Sequence, residues 1–293
     1  MISIITPTYN RAHLLPRLLQ SIYMQSYQDF EMLVIDDGST DHTAQVIQSF
    51  YDNRIRYIRL DKNQGVNAAR NIGVSIARGE WILFVDSDYE LLPDGLKTVA
   101  AYTSILGAEA DVGVIGFLAL KEPQGMVQGY RSYECAWEQV VIPREDIVLK
   151  KRFTGDMFWT VRRTVFTGGL SFPDWINGFE RLFWSRVSKH WKILAVNRVI
   201  GVIHFEPGES HLSIESWKRW PRAFAQGYET FIRENFDILM RNPEQLLAFA
   251  KQTAKCYWRA GHFFKSAGWA YRALWYRLVL SIPLLQAKGG IRL

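Results

Sequence analysis

The chain has 293 residues, 48% of them hydrophobic and 22% charged, with a formal net charge of +6 at pH 7. These values describe a folded globular protein able to bury a sizeable core; they exclude a disordered or low-complexity chain, and no internal repeat is evident. Cys135 and Cys256 stand far apart with no Cys-x-x-Cys spacing, which argues against a zinc site or disulfide framework and favours a reducing compartment.

The predicted elements alternate through the first 120 or so residues. Ile2–Thr6 reads as a strand and Pro7–Arg11 as a turn. Leu14–Gln25 carries a helical stripe at Leu14, Leu15, Leu18, Leu19 and Ile22. Phe30–Ile35 is a second strand, ending at Asp36-Asp37-Gly38-Ser39, and Thr40 or Asp41 is positioned to cap the next helix. Ile55–Leu60 is a strand, Asn67–Ala77 a helix ended near Gly79, and Trp81–Val85 a buried strand. This order implies an α/β fold with a mainly parallel sheet, whose ligands bind outside the carboxyl ends of the strands. Further on, 111–120 and 193–204 read as strands and 179–190 as a helix. The expected division is a domain over 1–213, with halves over 1–110 and 111–213. A helical extension follows over 214–293, with breaks at Pro243 and Pro283.

Three strand ends carry chemistry. Asp86-Ser87-Asp88 follows an apolar strand, and alternate residues of an extended segment point the same way. Two such carboxylates suit a hard divalent ion, Mg²⁺ or Mn²⁺, though an Asp-x-Asp alone is equally a solvated turn. Asp36-Asp37-Gly38-Ser39 is ordinary turn chemistry; its functional reading is base recognition, with Asp37 accepting the N3–H of uracil. Asn63 to Gly73 opens a helix after Gly65, where backbone N–H groups and Arg70 favour phosphate.

Ile4–Arg11, Val34–Asp41, Asn63–Gly73 and Phe84–Asp88 stand in the order and spacing of one family. The sequence resembles a family 2 glycosyltransferase of the GT-A fold, closely over about the first 90 residues and less tightly to about residue 213. The resemblance implies that Thr6, Pro7, Tyr9, Asp37, Arg70, Asp86 and Asp88 bind the nucleotide-sugar, with Asp86 nearer the ribose and Asp88 on the metal. Gly168-Gly169-Leu170-Ser171-Phe172 and Phe179-Glu180 resemble its acceptor-side motifs. The usual Glu-Asp pair reads Phe179-Glu180 here, so Glu180 takes the place of the catalytic base; Asp156 and Asp174 are its rivals. His204, at a strand end, is a candidate third metal ligand, and His211 a weaker one.

The implied reaction is inverting transfer of a sugar from a nucleotide diphosphate-sugar, UDP by family habit, to a hydroxyl of a glycan or lipid-linked acceptor in cell-surface polysaccharide synthesis. Mn²⁺ or Mg²⁺ is the implied cofactor. The rival is a noncatalytic sugar-nucleotide or glycan-binding protein with a decayed site, favoured by the Phe179-Glu180 departure. A nucleotidyltransferase would show a Gly-rich basic loop after the first strand, where Pro7-Thr8-Tyr9-Asn10 stands. A processive polymerase would carry Gln-x-x-Arg-Trp and membrane spans. No nucleic-acid partner is expected, because no recognisable binding module is present.

The pI of about 9.2 favours an anionic partner. From residue 245 onward, Lys251, Lys255, Arg259, Lys265, Arg272 and Arg277 mix with aromatic residues. That mixture suits an anionic bilayer surface or, equally, a helical cap on the catalytic domain. No secretory signal or spanning segment is expected: the apolar stretch Leu278–Leu285 is too short and contains Pro283. The expected location is the cytoplasm, extending to a peripheral position on the inner face of the cell membrane.

Overall fold

The structure, a computed structural model, describes residues 1–132, 137–204 and 212–280. They divide into two compact units, 1–174 with 183–209 and 175–182 with 210–293. His211 and Cys135 lie outside the described residues.

The first unit opens with β1 (Ile2–Thr8), α1 (Leu15–Tyr23), β2 (Phe30–Asp36), α2 (Thr43–Ser49), β3 (Ile55–Arg59), α3 (Val66–Ile76) and β4 (Trp81–Phe84). There follow β5 (Tyr89–Leu91), α4 (Gly95–Leu106), β6 (Val112–Glu122), β7 (Met126–Gln128), β8 (Gln139–Val141), α5 (Arg144–Leu149), β9 (Phe158–Arg162) and α6 (Thr164–Thr167). Next come α7 (Arg181–Val187), shorter than the 179–190 helix expected, and β10 (Lys192–His204).

One sheet runs in the order β3-β2-β1-β4-β9-β6-β10-β5, with β7 on β6 and β8 on β10. The first four strands are parallel, as the alternating pattern predicts. The sheet beyond them is mixed, because β9 inserts antiparallel between β4 and β6. A strand arriving late in the chain is invisible to a pattern read in sequence order.

Burial on both faces follows from the strand period of two. Ile4, Met32 and Leu83 share one core with Leu15, Leu18 and Leu19 of α1 and Val99 of α4. Ile5, Leu33 and Ile82 share the other with Ala69 of α3 and with Phe172 and Phe183. Each such buried side chain stabilises by about 1.5–3 kcal/mol relative to exposure. Helix α3 approaches β1 so closely that a Cβ at Gly73 would lie 2.6 Å from the Ile5 side chain.

The second unit contains α8 (Leu212–Arg219), α9 (Pro221–Glu234), α10 (Phe236–Met240), α11 (Pro243–Arg259) and α12 (Phe263–Leu280). Phe179, Phe224, Phe231 and Phe249 form its aromatic core. The Arg181 guanidinium lies 5.1 Å from the Phe249 ring centre, and burial lowers its pKa. Helix α12 is two-sided: Ser266, Trp269, Ala273 and Tyr276 are buried, and Ser266 Oγ donates to the Ala254 carbonyl of α11 at 2.9 Å. Phe264, Tyr271, Leu274 and Leu278 are exposed on the other side.

Candidate active site

Parallel pairing of β1, β2 and β4 brings their carboxyl ends to one rim, so segments dozens of residues apart become neighbours. The loops after β1 and β2 are knitted together. Asn10, in the left-handed region at φ 52°, accepts the Thr40 N–H on Oδ1 at 2.8 Å, and its own N–H donates to Ser39 Oγ at 2.9 Å. Asp41 Oδ1 accepts the Thr43 N–H at the start of α2, although the N-cap residue is His42 and not the expected Thr40 or Asp41, while Oδ2 accepts the Ala12 N–H. Tyr9 is exposed at this rim and Pro7 is buried. Thr6 has no exposed surface. Its place inside the strand suits support of the rim rather than side-chain contact with a nucleotide.

Asp37 is buried, and its two oxygens accept the N–H groups of Gln64 at 2.7 Å and Gly65 at 2.8 Å. It therefore seats the start of α3, where Gly65 takes φ 95°. Burial, joined by the charge of Asp36, raises its pKa despite those two donors. Each oxygen keeps a second lone pair, so the expected base contact would use those positions.

Arg70, expected beside the diphosphate, instead bonds Asp86: Nη2 is 3.0 Å from Oδ1 and 3.2 Å from Oδ2. Its guanidinium also lies 5.6 Å from the Phe172 ring centre. Phe172 packs edge-on against Phe84 at 5.3 Å and stacks on Phe183 at 4.0 Å, so an aromatic cluster backs the acidic turn.

Asp88 is half-buried, and its backbone carbonyl accepts the His204 N–H at 3.2 Å. Burial pushes its carboxyl pKa up to about 6, helped by the charges of Asp86 and Asp156; Arg11 and the Asp88 N–H oppose the rise. The place of Asp156 follows from register. Leu83 pairs with Thr160 and Trp81 with Arg162, so Asp156 lies just before β9, the neighbour of β4, and its charge acts on Asp88. Glu180 falls in the second unit, at the start of α7, and Asp174 at the end of a first-unit segment.

His204 meets Asp88 through its backbone, but its ring is held elsewhere. Nε2 is 2.8 Å from Glu90 Oε2, and Nδ1 is 3.9 Å from Glu122 Oε2. Among the described residues, no group of three or more His, Cys, Asp and Glu side chains is placed to hold a metal. The carboxylates still suit a hard cation: burial first, then the charges of Asp86 and Asp156, raise the Asp88 pKa, and a bound cation would favour its ionised form.

Sequence reasoning missed two positioning residues. Asn71 Nδ2 donates to the Phe172 carbonyl at 2.8 Å, and the Phe172 N–H returns a bond to Asn71 Oδ1 at 3.0 Å. Asn67 Nδ2 donates to the Pro173 carbonyl at 3.0 Å. Their spacing of four places both on one face of α3, a signal that was present without a visible partner.

An α/β protein of the GT-A fold is what this sheet and its flanking helices define. Residues 3–120 match the sequence profile described as Glycosyl transferase family 2. It is 32% identical over 192 residues to the Campylobacter jejuni GalNAc(5)-diNAcBac-PP-undecaprenol beta-1,3-glucosyltransferase, covering 64% of this chain and 60% of that one. Against three curated relatives it spans 21%, 42% and 60% of their lengths. S. aureus TarS, residues 1–349 in complex with UDP, is similar in structure with TM-score 0.61 and 18% identity, covering 98% of this chain and 92% of that one. The Pyrobaculum calidifontis mannosyltransferase PcManGT, in complex with GDP-Man and Mn²⁺, is similar with TM-score 0.58 and 19% identity, covering 98% and 84%.

Proposed function

We propose that this protein transfers a sugar, with inversion, from a nucleotide diphosphate-sugar to a hydroxyl of a glycan or lipid-linked acceptor in polysaccharide synthesis. The observation that carries the reading is the convergence of Asp37, the Arg70–Asp86 pair and Asp88 on the carboxyl rim of β1, β2 and β4. UDP is the proposed nucleotide, by analogy with the UDP complex of TarS. The lipid-linked acceptor follows the name of the Campylobacter relative.

Mn²⁺ or Mg²⁺ is the proposed cofactor, held by Asp88 with Asp86 beside it; when bound it would supply positive charge to the leaving diphosphate. Tyr9 and Asp37 would position the base at the rim. Arg70 would exchange part of its bond with Asp86 for a phosphate oxygen, since its fork carries five donors. Glu180 is the proposed general base, taking the acceptor's proton as the hydroxyl attacks. Asp156 is the alternative, favoured by its charge acting on Asp88.

The C-terminal helices suit attachment to an anionic membrane surface. Between residues 245 and 293 the chain has eight Lys and Arg and no Asp or Glu. Phe264, Tyr271, Leu274 and Leu278 recur at helical spacing along the exposed side of α12, 59–97% accessible. No helix among the described residues is long and apolar enough to cross a membrane.

Nucleotide release from a panel of UDP-, GDP- and dTDP-sugars, with Mn²⁺, Mg²⁺ or EDTA and mixed acceptors, tests the reading. Release that Asp88→Ala abolishes is expected. Loss in Glu180→Gln but not Asp156→Asn assigns the base to Glu180, and the reverse assigns it to Asp156. Donor binding without turnover across a broad acceptor set would favour a noncatalytic binding protein.

A further inference from the structure

A cavity of about 740 Å³ opens on the first unit and is lined by neither Asp86 nor Asp88. One wall is a face of α4 bearing Lys97, Thr98, Tyr102 and Ile105; the other is formed by Trp137, Glu138 and Arg198. Helix α4 begins after Asp94, six residues beyond Asp88. It ends at Gly107, where a Cβ would lie 3.2 Å from Trp81 at the amino end of β4. The α4 wall therefore extends to the amino end of β4.

Its second wall is pre-arranged by an irregularity in β10. The register of β10 on β6 shifts between Val196 and Val199, which frees Asn197 and Arg198 from that ladder. The Asn197 N–H donates to the Glu138 carbonyl at 2.8 Å, and Asn197 Nδ2 donates to the Trp137 carbonyl at 3.1 Å. Glu138 Oε1 then accepts Tyr102 O–H at 2.8 Å and Arg198 Nη2 at 3.4 Å, joining the two walls. A second cavity of about 250 Å³ also has Trp137 in its lining, with Gln128 and Thr154. The Asp156 N–H donates to Gln128 Oε1 at 3.4 Å, so this second cavity adjoins Asp156.

We propose that these linked cavities bind a section of oligosaccharide remote from its reacting end. Aromatic rings offer faces to the C–H side of a sugar, and fixed carboxylate, guanidinium and amide groups bind its hydroxyls in pairs. Acidic and basic groups are mixed on the walls, which fits an uncharged hexose or N-acetylhexosamine chain better than a polyanion, and the polar lining excludes a lipid tail. The role of such a groove, holding a growing glycan acceptor, rests on the glycosyl-transfer reading; its binding of sugar does not.

The test uses the full chain on an array of neutral di- to hexasaccharides, followed by calorimetric titration of those retained, with UDP titrated in parallel. Longer oligosaccharides are expected to bind more tightly than disaccharides. Trp137→Ala is expected to weaken them at least tenfold while changing UDP affinity less than twofold. Arg198→Ala is a second variant at an exposed position, so a folding defect in the first does not decide the matter; it is expected to weaken binding at least threefold. A protein that binds UDP but no oligosaccharide, or oligosaccharide binding unchanged in both variants, overturns the groove. Loss of UDP binding in the unaltered chain counts against the transferase reading instead, whatever the array shows.

Discussion

Arg70 and Asp86 face each other across the carboxyl rim, the guanidinium Nη2 within 3.2 Å of both carboxylate oxygens. The arginine is buried, while the Asp86 side chain is 35% accessible. The pair thus has one anchored and one wet partner. Its place between α3 and the acidic turn makes it a spacer between the two.

Replacing Arg70 by Ala should remove both the spacer and the proposed phosphate contact. UDP-sugar affinity is expected to fall at least tenfold by calorimetry, with stability lowered by about 1–2 kcal/mol in urea, since Asp86 recovers water on its exposed side. Arg70→Lys should restore stability more than affinity, because an ammonium lacks the planar fork.

Asp88 should make stability and metal binding pH-dependent in opposite senses. Its folded pKa of about 6 lies above the ordinary 3.8. The folded state therefore keeps a proton that the unfolded state has lost, and the associated stability, full below about pH 4, declines as pH rises to 6. Asp88→Asn should abolish that decline and be more stable at pH 7 by about 1–3 kcal/mol. A cation needs the carboxylate, so Mn²⁺ affinity, read by electron paramagnetic resonance, should rise up to about tenfold per pH unit below 6 and level off above.

His204→Gln separates two roles for one ring. A metal ligand would cost at least tenfold in Mn²⁺ affinity. The bond from Nε2 to Glu90 predicts a smaller change, under about threefold, with a lowered melting temperature as β5 loses a tie to β10. An affinity loss like that of Asp88→Ala would return His204 to the metal.

Asn71 ties α3 to the segment that leads toward Glu180. Asn71→Ala leaves the Phe172 N–H and C=O without their reciprocal partners and should cost about 1–3 kcal/mol. Faster amide exchange at Phe172 and Asp174 would report the loosening directly.

On the C-terminal helices, a Phe264→Asp, Leu278→Asp double variant should reduce sedimentation with phosphatidylglycerol vesicles at least fivefold, and 0.5 M salt should weaken the unaltered chain similarly. Both positions are on the exposed side of α12, so thermal stability should not change. Equal sedimentation of the two proteins would exclude this stripe as the membrane contact.

The sequence by itself determined the alternating first half of the sheet and the three strand-end loops, because periodicity and turn chemistry are local and parallel crossovers permit few arrangements. Asp37, Arg70, Asp86 and Asp88 were legible for that reason. Tertiary structure alone decided what those side chains touch. Asp37 is committed to the N–H groups of Gln64 and Gly65, Arg70 to Asp86, and the His204 ring to Glu90. It also decided that antiparallel β9 lies beside β4, so that the charge of Asp156, just before β9, acts on Asp88, 68 positions away in the chain. Hydrogen bonds and charge fields depend on distances of a few ångströms between residues far apart in sequence, and only the closed sheet fixes those distances.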